Sequence, residues 1–517
     1  MKQNQNQIKA GIVLSYVNMI AGNLIPLFYT PIMLSLLGQS EYGLYKLASS
    51  VSSYLSLLAF GIGGAITRYL IKAKMEGGKE AEENMFGMFH LIFQIIAAVT
   101  VLVGAIIVCN LGSFYSESLT SSELTEMKIL VAIMVANTAI GFSASSYNAV
   151  VTSHERFIFL QIVNILSTIV APLGNLVVLY LGFASVGMAT ISLAINVLTR
   201  FLYIIYVRKS LRLRPRFNKL PTYALKELLT FSFWVFVANI VSQLYNSTDT
   251  LIIGAIPALA TVGVAVYNVG AVFNGMVFSL AQTVPTLFAP RVNKLVFSGA
   301  SNGELTDLVI RVGRYQCYLV TLVCSGFVAF GQFFINWYVG NSYADAYWVA
   351  VVMMIPSCIP LVQSVANCIT QAKNMHRFRS VTYLFIAIIN VIGTYILVHT
   401  CGIIGAAVMT GAANILGQGF IMNWYYWKRV ELDIPRFWKS ILQIEWIPFG
   451  LCVITLLLSK VIDFYNPIIM FAGIAVYTVI YCILMWVFTM NDDEKNLVRG
   501  PINKVIAKLR QHCQTKG

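Results

Sequence analysis

Most of the chain consists of apolar runs, each long enough to cross a membrane as a helix. Fourteen such runs are separated by charged or turn-forming residues, and a helix needs about 20 apolar residues to cross the hydrocarbon layer. Only 11% of the 517 residues are charged. A water-soluble fold would have too little polar surface to cover so many apolar side chains. We therefore predict an all-α integral membrane protein with about fourteen transmembrane helices.

The predicted spans follow the limits of these apolar runs. They are 12–37, 44–68, 85–110, 127–151, 158–181, 186–207, 229–256, 263–290, 306–333, 346–371, 381–400, 403–427, 442–463 and 467–489. The chain enters the first span without a small-residue cleavage site. We therefore expect an uncleaved first helix and not a signal peptide.

Lys and Arg residues indicate the orientation of the spans. When the amino terminus is placed in the cytoplasm, thirty of the 35 Lys and Arg residues fall in the inner segments. Cytoplasmic loops of membrane proteins carry such an excess, so we expect both termini to be cytoplasmic. These charges lie between apolar spans and form no basic face with stacking aromatics, so nucleic acid is not an expected partner.

A weak internal repeat relates two sets of six spans. The segment NAVVTSHERF (148–157) resembles NCITQAKNMHRF (367–378), and further along the chain Gly182 matches Gly402. The two matches have offsets of 219 and 220 residues. Each copy contains an even number of helices, so both copies keep the same orientation and form parallel-related six-helix lobes. Two such lobes would leave a crevice near the midplane, as alternating access requires.

The repeat divides the chain into five predicted segments. They are an N-terminal six-helix lobe (1–210), a basic cytoplasmic linker (211–228), a C-terminal six-helix lobe (229–428), the extra helices 13 and 14 (442–489) and a cytoplasmic tail (490–517). The tail carries apolar residues at helical spacing. A surface-lying basic helix and a solvated tail are both compatible with it.

Cationic side chains within or at the ends of spans are the candidate substrate-binding residues. A charge at mid-membrane costs roughly 2.5–3.5 kcal/mol on insertion scales, so such residues usually face a cavity. The candidates for a cationic cavity are Arg68, Arg200, Arg291, Arg314 and Lys46. For the arginines at inner span ends, snorkelling to lipid phosphate is the alternative.

Asp249 is the candidate for a coupling residue. It lies within the seventh span, in the segment YNSTDT, and its carboxylate could bind a proton or a cation. An ion pair and a helix-end cap are the alternatives. The chain has no phosphate-loop, zinc-protease or serine-hydrolase motif, and its nine Cys form no Cys-x-x-Cys, so we expect no enzymatic activity, cofactor or metal site.

Three segments carry a resemblance to a known family. IPLFYTPIMLSLLGQSEYGLY near the start, GGAITRYL ending helix 2 and APRVNK ending helix 8, in a layout of six, six and two spans, resemble the polysaccharide-biosynthesis flippases of the multidrug/oligosaccharidyl-lipid/polysaccharide (MOP) exporter superfamily. The resemblance implies two six-helix lobes about a cationic cavity in a bacterial cytoplasmic (inner) membrane. It places Arg68 and Arg291 at the basic position that closes helices 2 and 8.

The same resemblance implies the substrate. Family members move undecaprenyl-pyrophosphate-linked oligosaccharides from the inner to the outer leaflet, for O-antigen, capsule or exopolysaccharide biosynthesis. Membrane lipids are expected partners, and glycan polymerases, glycosyltransferases and H⁺ or Na⁺ as coupling ion remain open. A cation-coupled multidrug or small-molecule antiporter of the same superfamily is the main alternative. A facilitator-type transporter and a non-transport scaffold for glycan assembly are further alternatives.

Overall fold

The computed structural model describes residues 2–221, 223–496 and 499. Within these residues the regular structure is helical and contains no strand. The first seven helices are α1 (Lys2–Leu55), α2 (Gly63–Tyr115), α3 (Ser121–Ser153), α4 (Phe157–Tyr180), α5 (Ala184–Tyr206), α6 (Tyr223–Gly254) and α7 (Ala260–Phe297). The apolar residues of the predicted tail lie outside the described residues.

Seven further helices follow α7 along the chain. They are α8 (Asn302–Val339), α9 (Ala346–Val362), α10 (Ser364–Ala372), α11 (His376–Asn414), α12 (Asn423–Lys428), α13 (Ile434–Leu458) and α14 (Pro467–Leu484). Ten described helical segments are long and apolar enough to cross a membrane, or eleven if α9 and α10, bent by 43° at their junction, form one span. These findings confirm the all-α membrane fold.

Glycines interrupt three of the longest helices. Gly38 in α1, Gly78 in α2 and Gly402 in α11 have φ values of 77°, 63° and 61°. A residue with a Cβ rarely adopts such a conformation, whereas glycine does so at little cost. Each of these helices therefore consists of two helical parts. This is one reason why ten or eleven membrane-spanning segments are found where fourteen spans were predicted, because a merged segment counts once although it contains two helical parts.

The second predicted span is not a continuous helix, so the uninterrupted span over 44–68 is wrong. A 3₁₀ turn follows α1 at Ser56–Ala59, and Phe60 and Gly61 then take positive φ values of 47° and 68°. Closely spaced glycines in the sequence FGIGG explain the break, because glycine is a poor helix former and permits left-handed backbone.

The backbone itself repeats with the offset seen in the sequence. Residues with positive φ recur at intervals of 219 to 221 residues, in the pairs Gly78 and Gly299, Glu155 and Asn374, Gly182 and Gly402, and Arg212 and Glu431. These positions terminate or interrupt helices, so the two stretches of chain break their helices at matching places.

Side-chain contacts repeat in the same register. Phe159 stacks on Tyr206 with ring centroids 3.8 Å apart, and Phe378 stacks on Tyr425 at 4.2 Å. Both members of the second pair lie 219 residues after their counterparts. Matching aromatic contacts and matching helix breaks support the internal duplication. The limits of the two lobes stay a prediction.

Helix packing divides the chain into two compact units. The first contains residues 1–269 and 383–410, and the second contains 270–382 and 411–517. In the first unit, Phe86, Phe89 and Phe93 are almost completely buried along one face of α2. Tyr147 of α3 meets Phe86 edge-on with ring centroids 5.2 Å apart. This apolar core fixes α2 against α3.

Candidate functional sites

Asp249 forms the centre of a buried polar cluster within the first unit. Its carboxylate is 2% exposed and accepts hydrogen bonds from the hydroxyls of Tyr267 at 2.5 Å, Thr410 at 2.8 Å and Thr394 at 3.2 Å. None of the described Lys and Arg side chains forms an ion pair with Asp249. The described residues therefore do not support an ion pair as the role of Asp249.

The break at Gly402 explains how two threonines of one helix reach the same carboxylate. Thr394 and Thr410 are 16 residues apart in α11, which would separate them by about 24 Å in a straight helix at 1.5 Å per residue. Gly402 lies midway between them and reverses the chain there through its positive φ. The sequence indicated Asp249 as a candidate coupling residue, but it gave no indication of the three hydroxyls that bond its carboxylate.

A second polar side chain faces the same cluster. Asn390 of α11 is fully buried and donates to the Thr410 hydroxyl at 3.5 Å, whereas its amide oxygen has no hydrogen-bond partner among the described residues. An unpaired buried carbonyl oxygen is rare in proteins. Together with the carboxylate and the hydroxyls, this oxygen belongs to the kind of donor set that holds a hard cation.

A polar seam runs along α1 and α6 beside this cluster. The amide of Gln243 donates to the hydroxyls of Ser53 and Ser247, and Tyr54 and Thr248 share a hydrogen bond of 2.5 Å. Elsewhere in the first unit, the side-chain amides of Gln94, Asn148 and Asn196 also donate to side chains of neighbouring helices. These amides serve helix packing, as polar residues in membrane helices commonly do.

Four of the predicted cationic candidates have no acidic partner among the described residues. Arg68 and Arg291 are exposed, and Arg200 and Lys46 are half-buried. Lys46 lies 5.5 Å from the ring centroid of Tyr42, and Arg200 lies within electrostatic range of His90. The cavity that these four side chains were predicted to line stays a prediction.

Arg314 has a different environment in the second unit. It is 8% exposed, and its Nε and Nη2 donate to Glu494 at 2.6 and 2.9 Å. The same guanidinium also donates to the Tyr318 hydroxyl, the Thr489 carbonyl and Ser440. Every nitrogen of this guanidinium is thus engaged by the protein. That Arg314 binds substrate stays a prediction, and Glu494 is the partner that sequence reasoning missed.

A cavity of about 690 Å³ lies in the first unit, between α1, α2, α6 and α11. Its walls are mainly apolar and include Val51, Leu111, Phe114 and Ile252. A pyrophosphate needs cationic or hydrogen-bonding groups, and none of the predicted cationic residues lines this cavity. The mainly apolar walls suit apolar groups.

The sequence matches a family model, described as polysaccharide biosynthesis protein, over residues 8–289. This range is more than half of the chain. The chain belongs to the polysaccharide biosynthesis protein family. The resemblance seen in the sequence is thereby confirmed. No curated protein matches the chain in sequence.

Solved structures show the same fold. The chain is similar to the lipid II flippase MurJ in an inward closed conformation, with a TM-score of 0.73, 14% identity and coverage of 92% of this chain and 98% of that one. It is also similar to an inward-facing multidrug resistance MATE family transporter of the MOP superfamily, with a TM-score of 0.64, 15% identity and coverage of 83% and 99%. It is similar as well to the Vibrio cholerae MATE transporter VcmN in its bent form, with a TM-score of 0.52, 13% identity and coverage of 85% of this chain and 99% of that one. This member of the polysaccharide biosynthesis protein family therefore has the fold of MOP-superfamily transporters.

Proposed function

We propose that the protein is a flippase for an undecaprenyl-pyrophosphate-linked oligosaccharide, which it moves from the inner to the outer leaflet by alternating access. The product would serve O-antigen, capsule or exopolysaccharide biosynthesis. The family match over residues 8–289 is the observation that carries this proposal. The fold shared with a lipid II flippase supports it, because that protein is also named for a lipid-linked substrate.

The unpaired cations supply the chemistry that such a substrate needs. A pyrophosphate-linked glycan cannot enter hydrocarbon unaided, and guanidinium groups bind phosphate oxygens through paired, charge-assisted hydrogen bonds. Arg68, Arg200 and Arg291 lack acidic partners among the described residues. In this proposal they bind the phosphates, with Lys46 as a fourth cation, while the prenyl chain stays in lipid.

The Asp249 cluster is the proposed coupling site. Three hydroxyls and the unpaired oxygen of Asn390 surround a carboxylate that pairs with no described cation. A proton or a Na⁺ ion would neutralise this carboxylate, and its binding would stabilise the arrangement of α6, α7 and α11 seen here. Binding or release of this ion would thereby change the relative populations of the transporter's conformations.

The test is a headgroup translocation assay in proteoliposomes with an undecaprenyl-pyrophosphate-linked oligosaccharide. The triple variant Arg68→Gln, Arg200→Gln, Arg291→Gln should reduce translocation at least tenfold. A matched variant that neutralises Arg377, Lys428 and Arg429, other basic residues of predicted inner loops, should translocate normally. Full activity of the first variant would contradict the proposal and favour the scaffold alternative.

A multidrug antiporter is the second candidate, and the MATE structures favour it. The two functions differ in what they move, since an antiporter would carry a small organic cation in exchange for H⁺ or Na⁺. In the same proteoliposomes, an ion gradient should drive uptake of cationic dyes only if this alternative holds. We expect no dye uptake, because the candidate binding residues are basic.

A further inference from the structure

An acidic side chain lies inside α13, where neither the repeat nor the family resemblance places a function. Glu445 is 11 residues from the first residue of α13, or about 16 Å along the helix axis at 1.5 Å per residue. The helix Ile434–Leu458 is apolar enough to cross a membrane. Buried Ile441, Ile444 and Ile447 flank Glu445 on the same helix.

Among the described residues, Glu445 has one hydrogen-bond donor, and it is a weak one. Its Oε1 accepts from the thiol of Cys317 in α8, with an S···O distance of 3.4 Å, and a thiol is a poor donor. No described Lys, Arg or His side chain forms an ion pair with it. Glu445 is half-buried, and an unpaired carboxylate against apolar side chains costs more free energy than a protonated carboxyl.

The face of α8 that meets Glu445 carries a row of polar groups at helical spacing. One turn before Cys317, Arg314 pairs with Glu494. One turn after it, the hydroxyls of Thr321 and Tyr481 lie 2.8 Å apart. The residue that contacts Glu445, Cys317, is therefore one turn of α8 from Arg314, whose guanidinium is already paired with Glu494.

The titratable and charged groups around Glu445 come from each neighbouring element. They are Cys317 and Cys324 of α8 and Tyr481 of α14, which interact electrostatically with Glu445, and the Arg314–Glu494 pair one turn of α8 before Cys317. Thiols and phenols are neutral near pH 7. Arg314 is the one cation in this set, and its charge is already balanced by Glu494.

We propose that Glu445 is a proton-binding site in the second unit, separate from Asp249. It carries a proton at neutral pH and exchanges it with solvent. If it released that proton, its carboxylate would compete with Glu494 for Arg314, one helical turn away on α8. Proton binding at Glu445 is thereby linked to the ion pair that holds the segment after α14. The site does not depend on which substrate the protein transports.

Infrared spectroscopy of the purified full-length protein tests this directly. A protonated carboxyl has a carbonyl-stretch band that a carboxylate lacks. At pH 7 the wild-type spectrum should contain one such band that is lost in Glu445→Gln. The band should remain in Asp249→Asn and in Glu76→Gln, whose carboxylate is exposed. An identical band pattern in Glu445→Gln and wild type would overturn the proposal.

Exchange of the proton is measured on the same sample. Transfer into D₂O should shift the Glu445 band to lower frequency while the protein stays folded. A band that keeps its position in D₂O would show a permanently sequestered proton and would also overturn the proposal. Circular dichroism of Glu445→Gln, which keeps the size and shape of the side chain, checks that the variant folds.

Discussion

At the scale of single residues, two of the buried carboxylates, those of Asp249 and Glu494, have opposite surroundings. Among the described residues, Asp249 is bonded by hydroxyls alone, whereas Glu494 is bonded by the guanidinium of Arg314, the Tyr318 hydroxyl and the Asn491 backbone. Hydroxyls can donate to a carboxylate and accept from a carboxyl, so they fit both protonation states. A guanidinium only donates and favours the charged state. Asp249 is therefore suited to change its charge, and Glu494 to keep it.

Replacing Asp249 with Asn should abolish ion-coupled transport while leaving the protein folded. The amide keeps the shape of the side chain and one oxygen acceptor, but it cannot bind a proton or balance a cation. Translocation in proteoliposomes with and without a pH or Na⁺ gradient measures the effect, and Asp345→Asn, at an exposed carboxylate, is the control. A gradient response equal to that of wild type would exclude Asp249 as the coupling residue.

The Arg314–Glu494 pair predicts how stability depends on pH. Burial alone would raise the pKa of Glu494, but hydrogen bonds from Arg314, the Asn491 backbone and Tyr318 outweigh it and lower that pKa. The stabilisation is therefore present at neutral pH and is lost as pH falls through the lowered pKa of the folded protein. Thermal unfolding in detergent between neutral and acidic pH should show this loss.

Glu494→Gln should unfold at lower temperature and should lose part of this acid dependence. Removing one partner of a buried ion pair costs about 3–5 kcal/mol, because the remaining charge stays buried and unpaired. Arg311→Gln is the control, since Arg311 and Asp493 are exposed and 3.8 Å apart, and such pairs contribute about 0–1 kcal/mol. Equal stability losses in the two variants would contradict this account of Arg314.

At the scale of helices, glycine breaks decide which residues meet. Gly38, Gly78 and Gly402 divide apolar segments that would otherwise form helices too long for one membrane crossing. The break at Gly402 matters most for the candidate site, because it brings Thr394 and Thr410 to one carboxylate. The backbone conformation of Gly402 therefore determines both where α11 is interrupted and which hydroxyls reach Asp249.

Gly402→Ala should weaken the Asp249 cluster and lower the stability of the first unit. Its φ of 61° with ψ of −146° is a region that residues with a Cβ avoid, at a cost on the order of 1–3 kcal/mol. Gly275→Ala is the control, because a Cβ at Gly275 meets no atom within 4 Å and its backbone is helical. Thermal unfolding of both variants measures the difference, and equal unfolding temperatures would contradict the role of Gly402.

At the scale of the whole molecule, the proposed substrate and the membrane potential act together. A pyrophosphate diester carries about two negative charges, and an inside-negative potential favours moving each of them outward by about 2.3 kcal/mol per 100 mV. Headgroup translocation should therefore accelerate when an inside-negative potential is imposed on proteoliposomes. Vesicles of the same composition with the potential dissipated are the control. A rate independent of the potential would contradict the idea that the membrane potential assists export.

The sequence by itself determined the all-α membrane fold, the repeat and the family, but not the limits of every span. These properties depend on apolar content and on residues close together in the chain, so they can be read without knowing how helices pack. Asp249 could be found for the same reason, since a carboxylate within an apolar run is visible locally.

Only the tertiary structure showed which of the described charged side chains form ion pairs. Arg314 and Arg291 look equivalent in the sequence, but Arg314 is bound to Glu494, which lies 180 residues further along the chain. The Thr394, Thr410 and Cys317 donors were likewise hidden, because no local pattern relates them to Asp249 or Glu445. The free energy of a buried charge depends on the groups that packing brings within a few ångströms of it, and in this protein those groups come from distant helices.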